Sequence, residues 1–256
     1  MKVSFTTVDN LPLVEPQDDL VDIIISSHAN NGGSIENGDI LVIAQKIISK
    51  SENRYRTLED ITPSQEAKEL AIIVQKDPRY VQAVLDESER VVRKKPGVLI
   101  VEHRLGFIHA NAGIDQSNIQ QHNNSERILL LPENPDASAQ TIRDGIKSAL
   151  NKDVAVIIND SMGRAWRNGT LGLTIGLAGI LPIDDRVGEE DLFGKKLNVT
   201  AAAIADEIAA GASLLMGQTV EKTPVVIVRG YPLPDKPNLE VSTATLIRDK
   251  NHDLFR

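Results

Sequence analysis

Three runs of aliphatic residues constrain this chain more than anything else in it. They are Ile40-Leu41-Val42-Ile43-Ala44, Val154-Ala155-Val156-Ile157-Ile158 and Val225-Val226-Ile227-Val228. Each is short, and apolar at every position rather than at alternate ones, which is the pattern of a buried strand. A sheet must therefore run through the core. The chain has 256 residues, ample for one large domain. Aromatic residues make up only 3% of it, so the core rests on Val, Ile, Leu and Ala.

Around these runs, local signals predict the other elements. Val3, Phe5 and Val8 suggest a first strand, followed by a turn at Asp9-Asn10-Leu11-Pro12-Leu13. Asp18 or Asp19 caps a helix with Leu20, Ile23 and Ile24 on one face. Thr62-Pro63-Ser64-Gln65 predicts a helix with Thr62 as cap, and with Ala67, Leu70 and Ala71 inward. Asp77-Pro78 starts another, with Val81, Val84 and Leu85 inward. Strands at 90–93 and 98–101 flank the turn Lys95-Pro96-Gly97. Residues 107–112 and 127–131 read as strands, and 120–125 as an exposed loop. Pro135-Asp136 starts a helix facing inward through Ala139, Ile142, Ile146 and Leu150. Residues 197–216 are Ala-rich and predict a buried helix that Gly217 ends. The glycines of 171–183 fit strands and tight packing, and roughly the last twenty residues read as peripheral. The whole predicts an α+β fold with mixed, largely antiparallel sheets and packed helices. It forms one domain over 1–256, with a division into two lobes near 85–130 left open.

Three segments carry chemistry. Asn159-Asp160-Ser161-Met162-Gly163-Arg164 leaves the end of the 154–158 strand, where open sheets place ligand chemistry. Asp160 and Ser161 are hard oxygen donors of the kind Mg²⁺ or Mn²⁺ prefers. Gly163 admits close backbone approach to a phosphate, and Arg164 can neutralise one. The same residues also suit a solvated turn. The second segment is Asn111-Ala112-Gly113-Ile114-Asp115-Gln116-Ser117-Asn118, either a site or an Asx-type turn. The third follows the 40–44 strand with Gln45, Lys46, Ser49, Lys50, Ser51, Arg54 and Arg56, either an anion-binding stretch or a solvated basic edge. The charge clusters at 184–186 and 189–191 read as solvated surface. The five histidines, His28, His103, His109, His122 and His252, have no zinc spacing, and His109 reads as a satisfied core residue.

Much is excluded. There is no cysteine, hence no disulfide, thiolate nucleophile or Cys-type zinc site. A net charge of −8 and few aromatics disfavour nucleic acid and anionic membranes as partners. No apolar stretch reaches about 18 residues, and the N-terminus has no signal-peptide core, so a cytoplasmic protein without membrane spans is expected. Walker, dinucleotide-binding and Gly-x-Ser-x-Gly patterns are absent. What remains is oxygen-ligand metal chemistry on phosphates.

Together the segments resemble one family. Leu11-Pro12-Leu13, Ile48-Ser49-Lys50, the 111–118 stretch, Asp160-Ser161-x-Gly163-Arg164, Ala205-Asp206-Glu207-Ile208-Ala209-Ala210 and Leu214-Leu215-Met216-Gly217 fall in the order seen in the coenzyme F-420:L-glutamate ligases, also called gamma-glutamyl ligases. The resemblance covers nearly the whole chain. The tail, Asp253-Leu254-Phe255-Arg256, is similar to the end of the ligase module in members that continue into a nitroreductase-like domain. The resemblance implies that GTP and divalent metals drive addition of L-glutamate to the deazaflavin precursor. It implies Asp115 and Asp160 on one metal, with Ser161 and Gln218 on a second. It implies nucleotide contacts from Leu11, Pro12, Leu13 and Val14, from Gln45, Lys46, Lys50 and Asn118, and from Met216, Gly217 and Gln218. Asp160, Lys50 and Arg164 would carry catalysis, the last two as fixed positive charge. A homodimer and a stimulating K⁺ are also implied.

Two departures stand out. Thr219-Val220-Glu221-Lys222-Thr223 has no glycine where the family is glycine-rich, and Ser161 replaces a common Thr. Two other readings are a metal-dependent phosphotransferase on another acid or alcohol and a non-catalytic nucleotide-binding module. The family reading carries one geometric demand: Asp115 and Asp160, 45 positions apart, must approach each other so that their carboxylates meet on one metal.

Overall fold

The computed structural model describes residues 1–121, 125–233 and 241–254. β1 (Ser4–Thr7) leads to α1 (Leu20–Asn30), where Asp19 accepts hydrogen bonds from the N–H groups of Val21 and Asp22. β2 (Ile40–Ala44) runs directly into α2 (Gln45–Ser51). Then come β3 (Tyr55–Thr57), α3 (Gln65–Val74), α4 (Pro78–Asp86), β4 (Ser88–Lys95), β5 (Val98–His103), β6 (Ile108–Ala110) and β7 (Arg127–Leu129). α5 (Pro135–Leu150) leads to the long hairpin β8 (Ala155–Arg164) and β9 (Arg167–Ala178). The short pair β10 (Asp184–Asp185) and β11 (Ala201–Ala202), α6 (Ile204–Met216) and β12 (Val225–Arg229) complete the order.

The main sheet has the order β1-β12-β2-β8-β9. Among the described residues β2 pairs with β8 in parallel, and the other pairs of this sheet are antiparallel. The three aliphatic runs are thus its three central strands. Alternation along each strand splits them between two cores. Leu41, Ile43, Val156, Ile158, Val225 and Ile227 pack with Leu20 and Ile24 of α1 and with Ile142 and Ile146 of α5. Ile40, Val42, Ala155, Ile157, Val226 and Val228 pack with Ala205, Ile208, Ala209 and Ala212 of α6. Each such Val, Leu or Ile side chain contributes about 1.5–3 kcal/mol on burial. A further core, including Leu70, Val74, Val81, Val84, Leu99 and Ile128, belongs to α3, α4, β5 and β7. It lies within the long connection from β2 to β8, beside the small antiparallel sheets β4-β5-β6 and β3-β7. The architecture is α+β with mixed, mostly antiparallel sheets.

Several local expectations are corrected. The cap of α3 is Ser64, whose hydroxyl accepts from the Ala67 N–H, not Thr62. β6 stops at Ala110, because Asn111 and Ala112 take left-handed φ of 50° and 54°. β8 does not end at Ile158: it continues to Arg164 against β9, with a register shift between Ile158 and Asn159. The motif at 159–164 is therefore bulged strand rather than a strand-end turn. α6 begins at Ile204, not 197, because Asn198-Val199-Thr200 are weak helix formers and residues 184–202 instead fold back through β10 and β11. Leu192 and Phe193 on that arm are 97% and 93% exposed. Of the loop at 120–125, residues 122–124 lie outside the described residues, and so does part of the tail. Within the tail, Ser242 and Thr243 both donate to the Asp136 carboxylate. Among the described residues no helix is long and apolar enough to cross a membrane.

One buried ring makes stability depend on pH. His103 is fully buried, accepts the Leu105 N–H at 3.0 Å and stacks on Phe107 with centroids 5.1 Å apart. Burial, then the neighbouring Arg104 charge, push its pKa from 6.5 down to about 3. Between those values the unfolded chain binds a proton that the folded chain does not. Stability therefore falls as pH drops below 6.5, at up to about 1.4 kcal/mol per pH unit. His103→Asn keeps an acceptor for Leu105 and should flatten this part of the melting temperature–pH curve. An unchanged slope in the variant would assign the acid sensitivity elsewhere.

Candidate active site

The parallel register aligns Ala44 with Asn159, so the chains leaving β2 and entering the second half of β8 meet at one edge of the sheet. From β2 come Gln45 and Lys46. The Gln45 amide donates to Asp115 Oδ2 at 2.7 Å, and Ser49 Oγ donates to Gln45 Oε1 at 2.9 Å, which fixes the amide's orientation. Lys46 Nζ lies 3.2 Å from Asp115 Oδ1. Asp115 is held by a backbone bridge to Leu129. Burial pushes its carboxyl above the ordinary carboxylate range; Lys46 opposes this, and the charge of Asp160 adds to it. Lys50 is half-buried, and burial followed by the Lys46 charge lower its pKa.

From β8 come Asp160 and Ser161. The Ser161 N–H donates to Asp160 Oδ1 at 2.7 Å, and the Ser161 hydroxyl donates to Gln218 Oε1 at 3.1 Å. His109 of β6 reaches Asp160 Oδ2 with Nε2 at 3.0 Å. Burial alone would lower the His109 pKa, but the bond and charge of Asp160 raise it above the usual value. The sequence reading of His109 as a satisfied buried residue holds, yet its satisfying partner is a site carboxylate. Only its place two residues upstream of Asn111 hinted at this.

The third wall is the end of α6. Gly217 takes φ 69°, and a Cβ there would run into the Glu221 side chain. Asn118 donates across the cleft to Thr219 O at 3.1 Å. In the glycine-free loop Lys222 takes φ 57°, a conformation that glycine adopts without strain. The Glu221 carboxylate accepts from the Thr219 N–H at 2.7 Å, a bond that holds its pKa below the ordinary value.

These walls enclose a cleft of about 910 Å³. It gathers Asp115, Asp160, Ser161, Gln218, Gln45, Lys46, Lys50, Asn118, Met216, Gly217 and Leu13. Leu11, Pro12, Val14 and Arg164 do not line it. Val14 is buried in the α1 core, and Leu11 packs against that core. Arg164 lies at the hairpin tip with its guanidinium on Gly169 O at 3.0 Å.

Asp115, Asp160, Ser161 and Gln218 all offer oxygen, the donor set that suits Mg²⁺ or Mn²⁺. Among the described residues no three His, Asp or Glu side chains cluster at ligand spacing. A hard cation here would complete its shell with phosphate oxygens and water, as Mg²⁺ commonly does. Asp115 and Asp160 bring two like charges to one cleft, and with Ser161 and Gln218 they form a donor set that fits such a cation.

A cleft of carboxylates, lysines and neutral oxygen donors at the ends of a parallel strand pair defines the class: an enzyme-like site for charged, polar ligands. Comparison with known proteins makes the class specific. Residues 9–230 match the family profile F420-0:Gamma-glutamyl ligase. The chain is 42% identical over 256 residues to the coenzyme F420:L-glutamate ligase of Methanothermobacter thermautotrophicus, covering 100% of both chains. It is 47% identical over 222 residues to that of Methanococcus maripaludis, covering 87% of this chain and 86% of the relative. It is 40% identical over 256 residues to that of Archaeoglobus fulgidus, covering 100% and 97%. The chain belongs to the F420-0:gamma-glutamyl ligase family, and is a ligase.

Proposed function

We propose that the protein is a GTP- and divalent-metal-dependent ligase that adds L-glutamate to the deazaflavin coenzyme F420 precursor, forming a gamma-glutamyl amide. The observation that carries this reading is the convergence of Asp115, Asp160, Ser161 and Gln218 in one cleft that also holds Lys46 and Lys50.

In this reading a carboxylate oxygen of the precursor attacks the γ-phosphorus of GTP, the bridging P–O bond to the β-phosphate breaks, and GDP leaves. The glutamate amine then attacks the acyl-phosphate carbon, loses a proton, and expels phosphate to leave an amide. Phosphoryl transfer is largely positioning plus charge neutralisation. Lys46 and Lys50 place two cations on one face of α2, beside the carboxylates, where phosphate oxygens would lie. Gln45 and Asn118 offer neutral amides for orientation. Divalent cations at the carboxylates would supply the remaining charge neutralisation. An acidic protein could thus accept two anionic substrates in one pocket. We place the enzyme as a homodimer; the exposed Leu192 and Phe193 of the arm support self-association, which light scattering tests.

The deciding assay combines the protein with GTP, Mn²⁺, L-glutamate and authentic precursor. The precursor should gain the mass of a glutamyl residue, with stoichiometric GDP. Intact nucleotide under these conditions would reject the reading. GDP release without any glutamate requirement would favour a phosphotransferase instead.

A further inference from the structure

We propose that His109 is the positioning residue for Asp160, holding that carboxylate in the orientation a divalent cation needs. The proposal rests on the reading of Asp160 as a metal ligand.

The ring comes from β6, in a different sheet from the strand that carries Asp160. It is 9% exposed and packs near Phe107, with ring centroids 6.2 Å apart. Both nitrogens are committed. Nδ1 lies 2.9 Å from Ala110 O, and Nε2 lies 3.0 Å from Asp160 Oδ2. A carbonyl oxygen and an ionised carboxylate can only accept, so a hydrogen on each ring nitrogen satisfies both contacts, and the Nδ1 bond fixes the rotation of the ring. A flipped ring would present C–H to the carboxylate.

The Asp160 carboxylate is thereby held from two sides. Oδ2 faces His109, and Oδ1 accepts the Ser161 N–H at 2.7 Å. The terminal torsion of an aspartate is otherwise broad. With one donor on each oxygen that torsion is set, and each oxygen keeps a lone pair for a cation in the cleft. Groups that bond to ligating side chains commonly shift metal affinity by 10–100-fold when removed. A residue that served only to fill space under β6 would change folding stability and leave cation affinity alone.

The test is a titration of the full-length protein with Mn²⁺, alone and with GTP, followed by the electron paramagnetic resonance of free Mn²⁺. Melting of the metal-free protein is measured in parallel. His109→Phe keeps a ring but donates nothing, and should weaken Mn²⁺ binding by about 10–100-fold. In turnover assays the loss should appear in the Mn²⁺ concentration for half-maximal rate, and largely vanish at saturating Mn²⁺. His109→Gln, whose amide N–H can reach the same oxygen, should bind Mn²⁺ within several-fold of the parent. Should His109→Phe fail to fold, His109→Leu carries the same comparison with His109→Gln. Unchanged Mn²⁺ affinity in the variant that cannot donate overturns the proposal, as does equal weakening in both variants. A parent protein that neither binds Mn²⁺ nor turns over GTP overturns instead the reading on which the proposal rests.

Discussion

Asp160→Asn is expected to fold and to lose turnover by roughly 1000-fold. The change is isosteric and removes one negative charge from the cleft. The neighbours can accommodate the amide. Its oxygen can still accept the Ser161 N–H, which now bonds Oδ1 at 2.7 Å. Its NH₂ can donate to His109 Nε2 if the ring keeps its hydrogen on Nδ1, toward Ala110 O. No buried polar group is then orphaned, so the melting temperature should move little. Activity should not survive as well. Ion-assisted charge stabilisation is worth several kcal/mol in phosphoryl transfer, and a loss of about 4 kcal/mol is about a thousandfold in rate. GDP formation and circular dichroism melting check the two halves separately. Near-parental turnover would remove Asp160 from the machinery.

The second large effect concerns the fold. Gly176→Val should lower the melting temperature by roughly 6–12 °C. Gly176 lies on β9, where α5 crosses with its first residue. A Cβ there would sit 2.5 Å from the backbone carbon and oxygen of Pro135. Real Cβ atoms do not approach backbone so closely, and the contact is with main chain at a proline-started helix, not with a flexible side-chain end. Either α5 or β9 must move. Overpacking of this kind costs about 3 kcal/mol, and at this chain length each kcal/mol lowers the melting temperature by about 2–4 °C. Because α5 also covers the main sheet through Ile142 and Ile146, the strain should spread into the core beneath the site. A variant that melts with the parent would show that the helix yields without cost.

Much of this was legible in the residues. The runs at 40–44, 154–158 and 225–228 are the three central strands, because continuous aliphatic sequence only pays off between two covered faces. Asp77-Pro78 and Pro135 mark real helix starts, and Gly217 a real helix end, because caps act over three or four residues. Gly172 and Gly176 do mark tight packing: a Cβ at Gly172 would meet Asn159 Oδ1 at 2.5 Å and Ala209 O at 2.6 Å. Composition misled where it stood alone. Residues 197–203 are apolar enough for a helix, yet they belong to the arm, because apolar content does not set a helix start. The end of β8 was misplaced because its partner β9 continues the ladder past Ile158, and a partner's length is not written in the strand itself.

The candidate site divides in the same way. Residue types alone marked Asp115, Asp160 and Lys50 as candidates for phosphate and metal chemistry, since hard oxygen donors and fixed cations are local chemical properties. Their meeting in one cleft was decided by the parallel register of β2 with β8 and by the bridge from Asp115 to Leu129. Tertiary structure likewise carried Arg164 out to the hairpin tip and brought His109 onto Asp160. Local periodicity, caps and residue chemistry act over a few neighbours and can be read along the chain. Strand pairing and the crossing of separate sheets join residues many positions apart, so only the folded chain determines which of those groups share a site.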